Sequence, residues 1–318
     1  MSRRNRRSLH HQVDDRLQAM KGFGRSKHRD KQAGISSQWI YSGQTMDAYK
    51  KTGHAFVNWV RDHKARIRTD LGHTPRTLDE VRPYASEWVQ DQIDRGLSAY
   101  TIAARISGLS KIYSDSMEDC ARPSVGTQMI SRSRKAAVRD YGFNESRHAD
   151  LAAACRCCGF RRHEAILCCP EHLMTFSDGY GVWIKGKGGR ERIAPLVGSE
   201  EEIRRAVAWI QGSTGHNPIP SHMDVHSYRA EYAARVYHEF AQDIDALRGQ
   251  IIDYTVLTGK TASDGGHIHK SALLHGRGHQ KGRCFDRYAL IKASQALGHN
   301  RETVITKHYS YLFSWPEE

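Results

Sequence analysis

The side chains able to do chemistry stand in a definite order along the chain: Arg161, Lys187, His226 with Arg229, His299 and Tyr309. His299 follows a Leu-Gly step, which is ordinary helix-ending chemistry, and Tyr309 comes ten residues later. A tyrosine attacking a phosphodiester needs help. A phenol of ordinary pKa, about 10, is protonated at neutral pH, so flanking cations and a base must assist it. Upstream segments offer those cations. Arg161 comes two residues after Gly159 and has Glu164 three residues on; if that pair holds the guanidinium rigid, its planar fork suits two phosphate oxygens. Lys187 sits in a Gly-Lys-Gly-Gly turn, whose glycines let it reach a groove and donate to a leaving oxygen, with Lys185 as its rival. Each signal alone has a bland counterpart, a surface arginine or a basic turn. His-x-x-Arg also occurs at His63/Arg66 and His73/Arg76. The His226/Arg229 copy differs because it opens an amphipathic helix that holds the two one turn apart.

Several elements must position these residues. Helical periodicity runs over 146–158, with Leu151, Cys155 and Cys158 inward and Gly159 as the stop, and a second helix starts at Arg161. Short β-like runs at 182–184 and 192–196 flank the lysine turn and predict a hairpin. Helices follow over 200–211, 226–241, 286–297 and 303–313, while 253–283 is rich in Gly, His and Lys without a period and reads as a long loop or insertion. Nearer the start, Thr45 is the expected cap of a helix bearing Tyr49, Phe56 and Val60. Further helices carry Trp88, Val89 and Ile93, then Ile102, Ile106, Leu109 and Tyr113, with Arg105 and Lys111 off that last stripe. The expected organisation is a basic flexible arm over 1–35, a helical domain over 36–120, a linker over 121–142 that is basic at Arg132, Arg134 and Lys135, and a second domain over 143–318 with an insertion around 242–285.

The 318 residues hold 48 Lys and Arg against 35 Asp and Glu, a formal net charge of +13, and a pI of about 9.5. Such a balance points to a polyanionic partner. No run approaches the roughly 18 apolar residues of a membrane span, and no signal-peptide core is present, so a soluble protein in a reducing compartment, without a membrane partner, is expected. Five of the seven cysteines crowd between Cys155 and Cys169. Their spacing fits no pair of zinc knuckles, and Cys155, Cys158 and Cys168 fall at apolar helix positions, so core thiols rather than metal ligands are expected. His267, His269, His275 and His279 could bind metal but read rather as polar-loop histidines or phosphate contacts.

Taken together, Cys158-Gly-Phe-Arg161-Arg-His-Glu164, Ile184-Lys-Gly-Lys187 through Leu196, His226-Ser-Tyr-Arg229 and Ala296-Leu-Gly-His299 to Tyr309 resemble the tyrosine recombinase, or phage-type integrase, family. The helices up to Tyr113 are similar to that family's core-binding domain, and the resemblance spans about residues 42–313. It implies an α+β, mostly helical fold: an all-helical core-binding domain, and a mixed α/β catalytic domain with a small β-sheet, closing as a C-shaped clamp on duplex DNA. It implies that Arg161 and Arg229 clamp the scissile phosphate, Lys187 protonates the leaving 5′ oxygen, His226 acts as acid/base near the tyrosine, His299 hydrogen-bonds the phosphate and Tyr309 is the nucleophile. Arg105, Lys111, Arg132, Arg134, Lys135 and Arg190 would contact DNA. No metal or other cofactor is implied. The implied partners are double-stranded DNA recombination sites, bound by a homotetramer on two duplexes. The implied setting is a bacterial or phage-encoded, nucleoid-associated cytoplasmic enzyme that integrates or excises a mobile element. The pattern departs from the family in the long gap between Arg229 and His299 and in the ten-residue step to Tyr309, which keeps Tyr311 as the alternative nucleophile. The rival readings are an inactive or architectural DNA-binding relative, a topoisomerase using the same tyrosine chemistry, and a Cys/His zinc- or RNA-binding protein.

Overall fold

A computed structural model describes residues 7–124, 143–186, 189–276 and 280–309. The chain divides into two compact units, Met1–Ile130 and Ser131–Glu318. It is mostly helical with small antiparallel sheets, as the sequence leads one to expect. None of the described helices is long and apolar enough to cross a membrane.

The first unit comprises α1 (Leu9–Ala19), α2 (Lys27–Gln32), α3 (Gly43–Asp62), α4 (Lys64–Leu71), α5 (Leu78–Val81), α6 (Ala85–Asp94) and α7 (Ala99–Tyr113). Its core gathers Phe56, Val60, Trp88, Val89, Ile102, Ile106 and Leu109 from α3, α6 and α7. Ser42 rather than Thr45 caps α3, its hydroxyl accepting from the Thr45 amide. The flexible arm expected over 1–35 is corrected from residue 8 onward. Ser8 caps α1, and Val13 and Leu17 are fully buried against α3. Gly53 of α3 permits this approach, since a Cβ there would lie 2.5 Å from Val13 Cγ1. Two apolar residues one turn apart suffice when the facing helix offers a glycine, and the surrounding charge hides so narrow a stripe.

The second unit holds α8 (Ala149–Cys158), α9 (Arg162–Ile166), β1 (Leu173–Phe176), β2 (Gly179–Lys185), β3 (Glu191–Pro195), α10 (Glu200–Gln211), α11 (Val225–Phe240), β4 (Ile251–Asp253), α12 (Tyr254–Thr258), β5 (His269–Ser271), β6 (Leu273–His275), β7 (Cys284–Asp286), α13 (Arg287–Ala296) and α14 (Glu302–His308). Strands β1, β2 and β3 form an antiparallel sheet in that order, with Ile184 opposite Arg192. Helices α8, α11 and α13 pack together, and their core includes Cys155, Cys157, Cys158 and Cys168. Burial pushes the Cys155 and Cys168 thiols up to about 12, which keeps them protonated at neutral pH. The long loop expected over 253–283 is also corrected. Strand β4 pairs with β5 and β6 with β7, around a small core of Leu247, Ala272 and Leu273. These strands are three residues long, too short for an alternating pattern to register.

Candidate active site

Gly159 ends α8 at φ +60°, and Arg161 follows as the cap residue of α9. The turn is tightly specified, because a Cβ on Gly159 would sit 2.3 Å from Tyr232 Cδ1. Gly159→Ala is therefore expected to cost at least about 2 kcal/mol, combining left-handed strain with a clash in a packed core. Urea unfolding measures it; a loss below half that would mean the turn relaxes freely.

Glu164 lies one turn into α9 with its side chain fully buried, and three arginines converge on it. Arg161 Nη1 donates to Oε1 at 2.6 Å. Arg192 donates to both oxygens, at 3.0 and 2.9 Å. Arg229 Nη1 lies 3.8 Å from Oε2. Burial opposes the charge on Glu164, but the Arg192 hydrogen bonds and the Arg192 and Arg229 charges outweigh it and hold the carboxyl down at about 2. Among the described residues, three guanidinium charges thus face one carboxylate, leaving an electropositive site suited to an anion.

Arg229 is fully buried one helical turn after His226 on α11. Its Nε–H donates to the Tyr309 hydroxyl at 3.3 Å, and its terminal nitrogens donate to the carbonyls of Gly159 and Leu297. Burial pushes Arg229 down to about 10, which leaves it charged at neutral pH. Gly298, at φ +72°, turns the chain out of α13 and presents His299. His299 Nε2 lies 3.4 Å from Arg161 Nη2. A guanidinium only donates, so Nε2 is the acceptor and the ring is neutral. Burial, then the charges of Arg229, Arg161, Arg192 and His308, lower His299 to about 4. Tyr309 closes α14, half-buried against the unit's core.

A stability profile with two segments follows from these two groups. His299 binds its proton near 6.5 when unfolded and near 4 when folded, so its contribution is present above 6.5 and is lost as pH falls to 4. Glu164, ordinarily at 4.5 and here at about 2, adds a second loss between 4.5 and 2. Each segment is on the order of 3 kcal/mol. His299→Gln should flatten the upper segment and leave the lower one; an unchanged profile in urea unfolding at stepped pH would refute the neutral imidazole.

The structure therefore brings together Arg161, Arg229, His299 and Tyr309. His226 is exposed at the start of α11, where Asp224 caps the helix by accepting from the His226 amide. Lys187 and Tyr311 lie outside the described residues. The hairpin leaves β2 beside the cluster, since a Cβ on Gly186 would lie 3.3 Å from Glu164 Oε1 and 3.5 Å from Arg161 Nη1. The rival Lys185 is exposed opposite Glu191.

Of the residues expected to contact DNA, Arg132, Arg134 and Lys135 lie outside the described residues, and Arg190 is exposed beyond the hairpin. Arg105 and Lys111 are both engaged within their own unit. Arg105 donates to Gln92 and lies 5.4 Å above the Trp88 ring, and Lys111 donates to the carbonyls of Ser37 and Trp39. A cation off the apolar stripe of its own helix still borders the neighbouring chain, and both use their stems and heads to seal that seam.

Arg192 was missed as a site residue. Inward alternation places Arg192 and Ala194 inside and leaves Ile193 47% exposed. The demand of Glu164 for a partner inverts the usual apolar-in rule.

No family model matches the chain, and no curated protein matches it in sequence. Among solved structures, it is similar to the XerH site-specific recombinase bound to its difH substrate before cleavage, at 12% identity and a TM-score of 0.42, covering 98% of this chain and 88% of that one. It is likewise similar to XerH bound to a palindromic difH substrate after cleavage, at 12% identity and a TM-score of 0.43, covering 96% and 87%.

Proposed function

We propose that this chain is a tyrosine site-specific recombinase that cleaves and rejoins DNA through a 3′-phosphotyrosyl intermediate. The observation that carries the reading is the Tyr309 hydroxyl 3.3 Å from Arg229 Nε, at the edge of a guanidinium cluster that holds more positive than negative charge. A scissile phosphate bridging Arg161 and Arg229 would have its two non-bridging oxygens neutralised where charge grows in the transition state. The Tyr309 oxygen attacks phosphorus, its proton passing to a base for which His226 is the candidate. The bond from phosphorus to the 5′ oxygen breaks, and Lys187 gives that oxygen its proton. His299, held neutral, donates a hydrogen bond to the phosphate. The reverse sequence, with a new 5′ hydroxyl attacking, restores the diester without external energy, because covalent attachment conserves the bond. The finer reading is a homotetramer acting on two duplexes to integrate or excise a mobile element, with affinity dominated by backbone contacts and steeply salt-dependent. Incubation with nicked duplexes carrying the ends of its own genetic element, followed by denaturing electrophoresis, tests the reading. A denaturant-stable protein–DNA adduct is expected; duplex binding without an adduct on any such end would favour a binding protein that has lost the chemistry.

A further inference from the structure

The segment inserted between α11 and α13 does not hang free of the site. Its elements grip the stretch from His299 into α14 at several points. Tyr254, at the start of α12, donates its hydroxyl to Glu302 Oε2 at 2.8 Å. Lys270 of β5 lies 3.5 Å from Glu302 Oε1 and sits over the Tyr254 ring. Arg287, opening α13, donates to Glu302 Oε1 at 2.8 Å. Further along, Asn300 Nδ2 donates to the Thr258 carbonyl at 2.9 Å, Lys260 Nζ donates to the Asn300 carbonyl at 2.6 Å, and Gln280 Nε2 donates to the Thr306 carbonyl at 2.6 Å. Glu302 is the first residue of the helix that Tyr309 closes, and it is only 4% exposed.

A buried carboxylate with two side-chain donors and a lysine ammonium beside it fixes its own backbone, because moving it would strand a charge away from water. Helix α14 is seven residues long, too short to hold its place through its own hydrogen bonds. Its apolar anchorage is modest, with Ile305 the one buried apolar residue in it. The polar clasp from the inserted segment and Arg287 acts together with the Ser294 hydroxyl of α13, which bonds the Arg301 amide and carbonyl, to set where the helix starts, and with it where the tyrosine ends.

We infer that Glu302 is a positioning residue, and that the inserted segment is a brace holding α14 so that the Tyr309 hydroxyl stays against Arg229. The inference rests on the reading of Tyr309 as the nucleophile. In this arrangement the brace fixes the nucleophile from within the same chain. Loosening it leaves duplex recognition intact and lowers the fraction of molecules poised to cleave.

Two variants test this in the full chain. Tyr254→Phe removes one hydroxyl and keeps the ring under Lys270; Glu302→Gln removes the charge and keeps the shape. Each should slow adduct formation on a nicked duplex about tenfold, the size expected for losing a hydrogen bond to a charged group, with duplex affinity held within about twofold. Deuterium uptake by the α14 amides should rise by a similar factor while that of α8 and α10 stays level, a change that a general loss of folding would not produce. If wild type forms its Tyr309 adduct and both variants match its rate and its α14 exchange, the brace is overturned and the nucleophile stands. If wild type forms no Tyr309 adduct, the nucleophile falls, and α14 exchange alone decides the brace: faster exchange supports it and unchanged exchange overturns it.

Discussion

Glu164→Ala is expected to destabilise the second unit by about 3–5 kcal/mol, the cost of stripping the partner from buried charges. Arg161, Arg192 and Arg229 all turn toward that one carboxylate, and Arg192 and Arg229 are themselves buried. Without it, guanidiniums lie close together with only carbonyl and hydroxyl oxygens and the neutral His299 imidazole to answer them. Urea unfolding should show a lower midpoint with an unchanged slope. Glu164→Gln keeps the volume and one acceptor, so it should fall between the two. A loss under 1 kcal/mol for the alanine variant would mean that the cluster relaxes into solvent and that its preorganisation is not real.

Arg229→Lys should cut the rate of covalent cleavage by a factor of about 100–1000, the range found when one preorganised donor to a developing oxyanion is removed. The substitution keeps the charge, so the test isolates geometry. The Arg229 guanidinium meets Tyr309 through Nε and the carbonyls of Gly159 and Leu297 through its two terminal nitrogens. A lysine ammonium is a single point that cannot reach all three directions and still face a phosphate. Duplex affinity should change far less than cleavage, because exposed cations carry most of it. Parallel single-turnover cleavage and binding assays separate the two, and an equal loss in both would assign Arg229 to binding alone.

Most of the helices were legible from apolar spacing and the glycines that stop them. Gly159 and Gly298 mark ends that local chemistry alone decides. Arg161, Arg229, His299 and Tyr309 were legible as a set because their order is meaningful even when no single member is. What escaped was set by partners distant in sequence. Helix α1 looks like a charged arm until Gly53 is seen to receive Val13. Arg192 looks like a surface residue of a strand until Glu164 turns out to be buried beside it. Arg105 and Lys111 bond within their own unit to Gln92, Ser37 and Trp39, partners that helical spacing does not reveal. The segment after α11 has no pattern to read because its strands are short and its polar side chains are spent on the next elements of the chain.

In the proposed reaction the Tyr309 oxygen forms the bond to DNA. The direct measurement is to trap the covalent complex on a nicked duplex, digest both protein and DNA, and locate the nucleotide-bearing peptide by mass spectrometry. The nucleotide is expected on Tyr309, with the adduct lost in Tyr309→Phe and kept in Tyr311→Phe. A nucleotide on Tyr311, or an adduct that survives Tyr309→Phe, contradicts it.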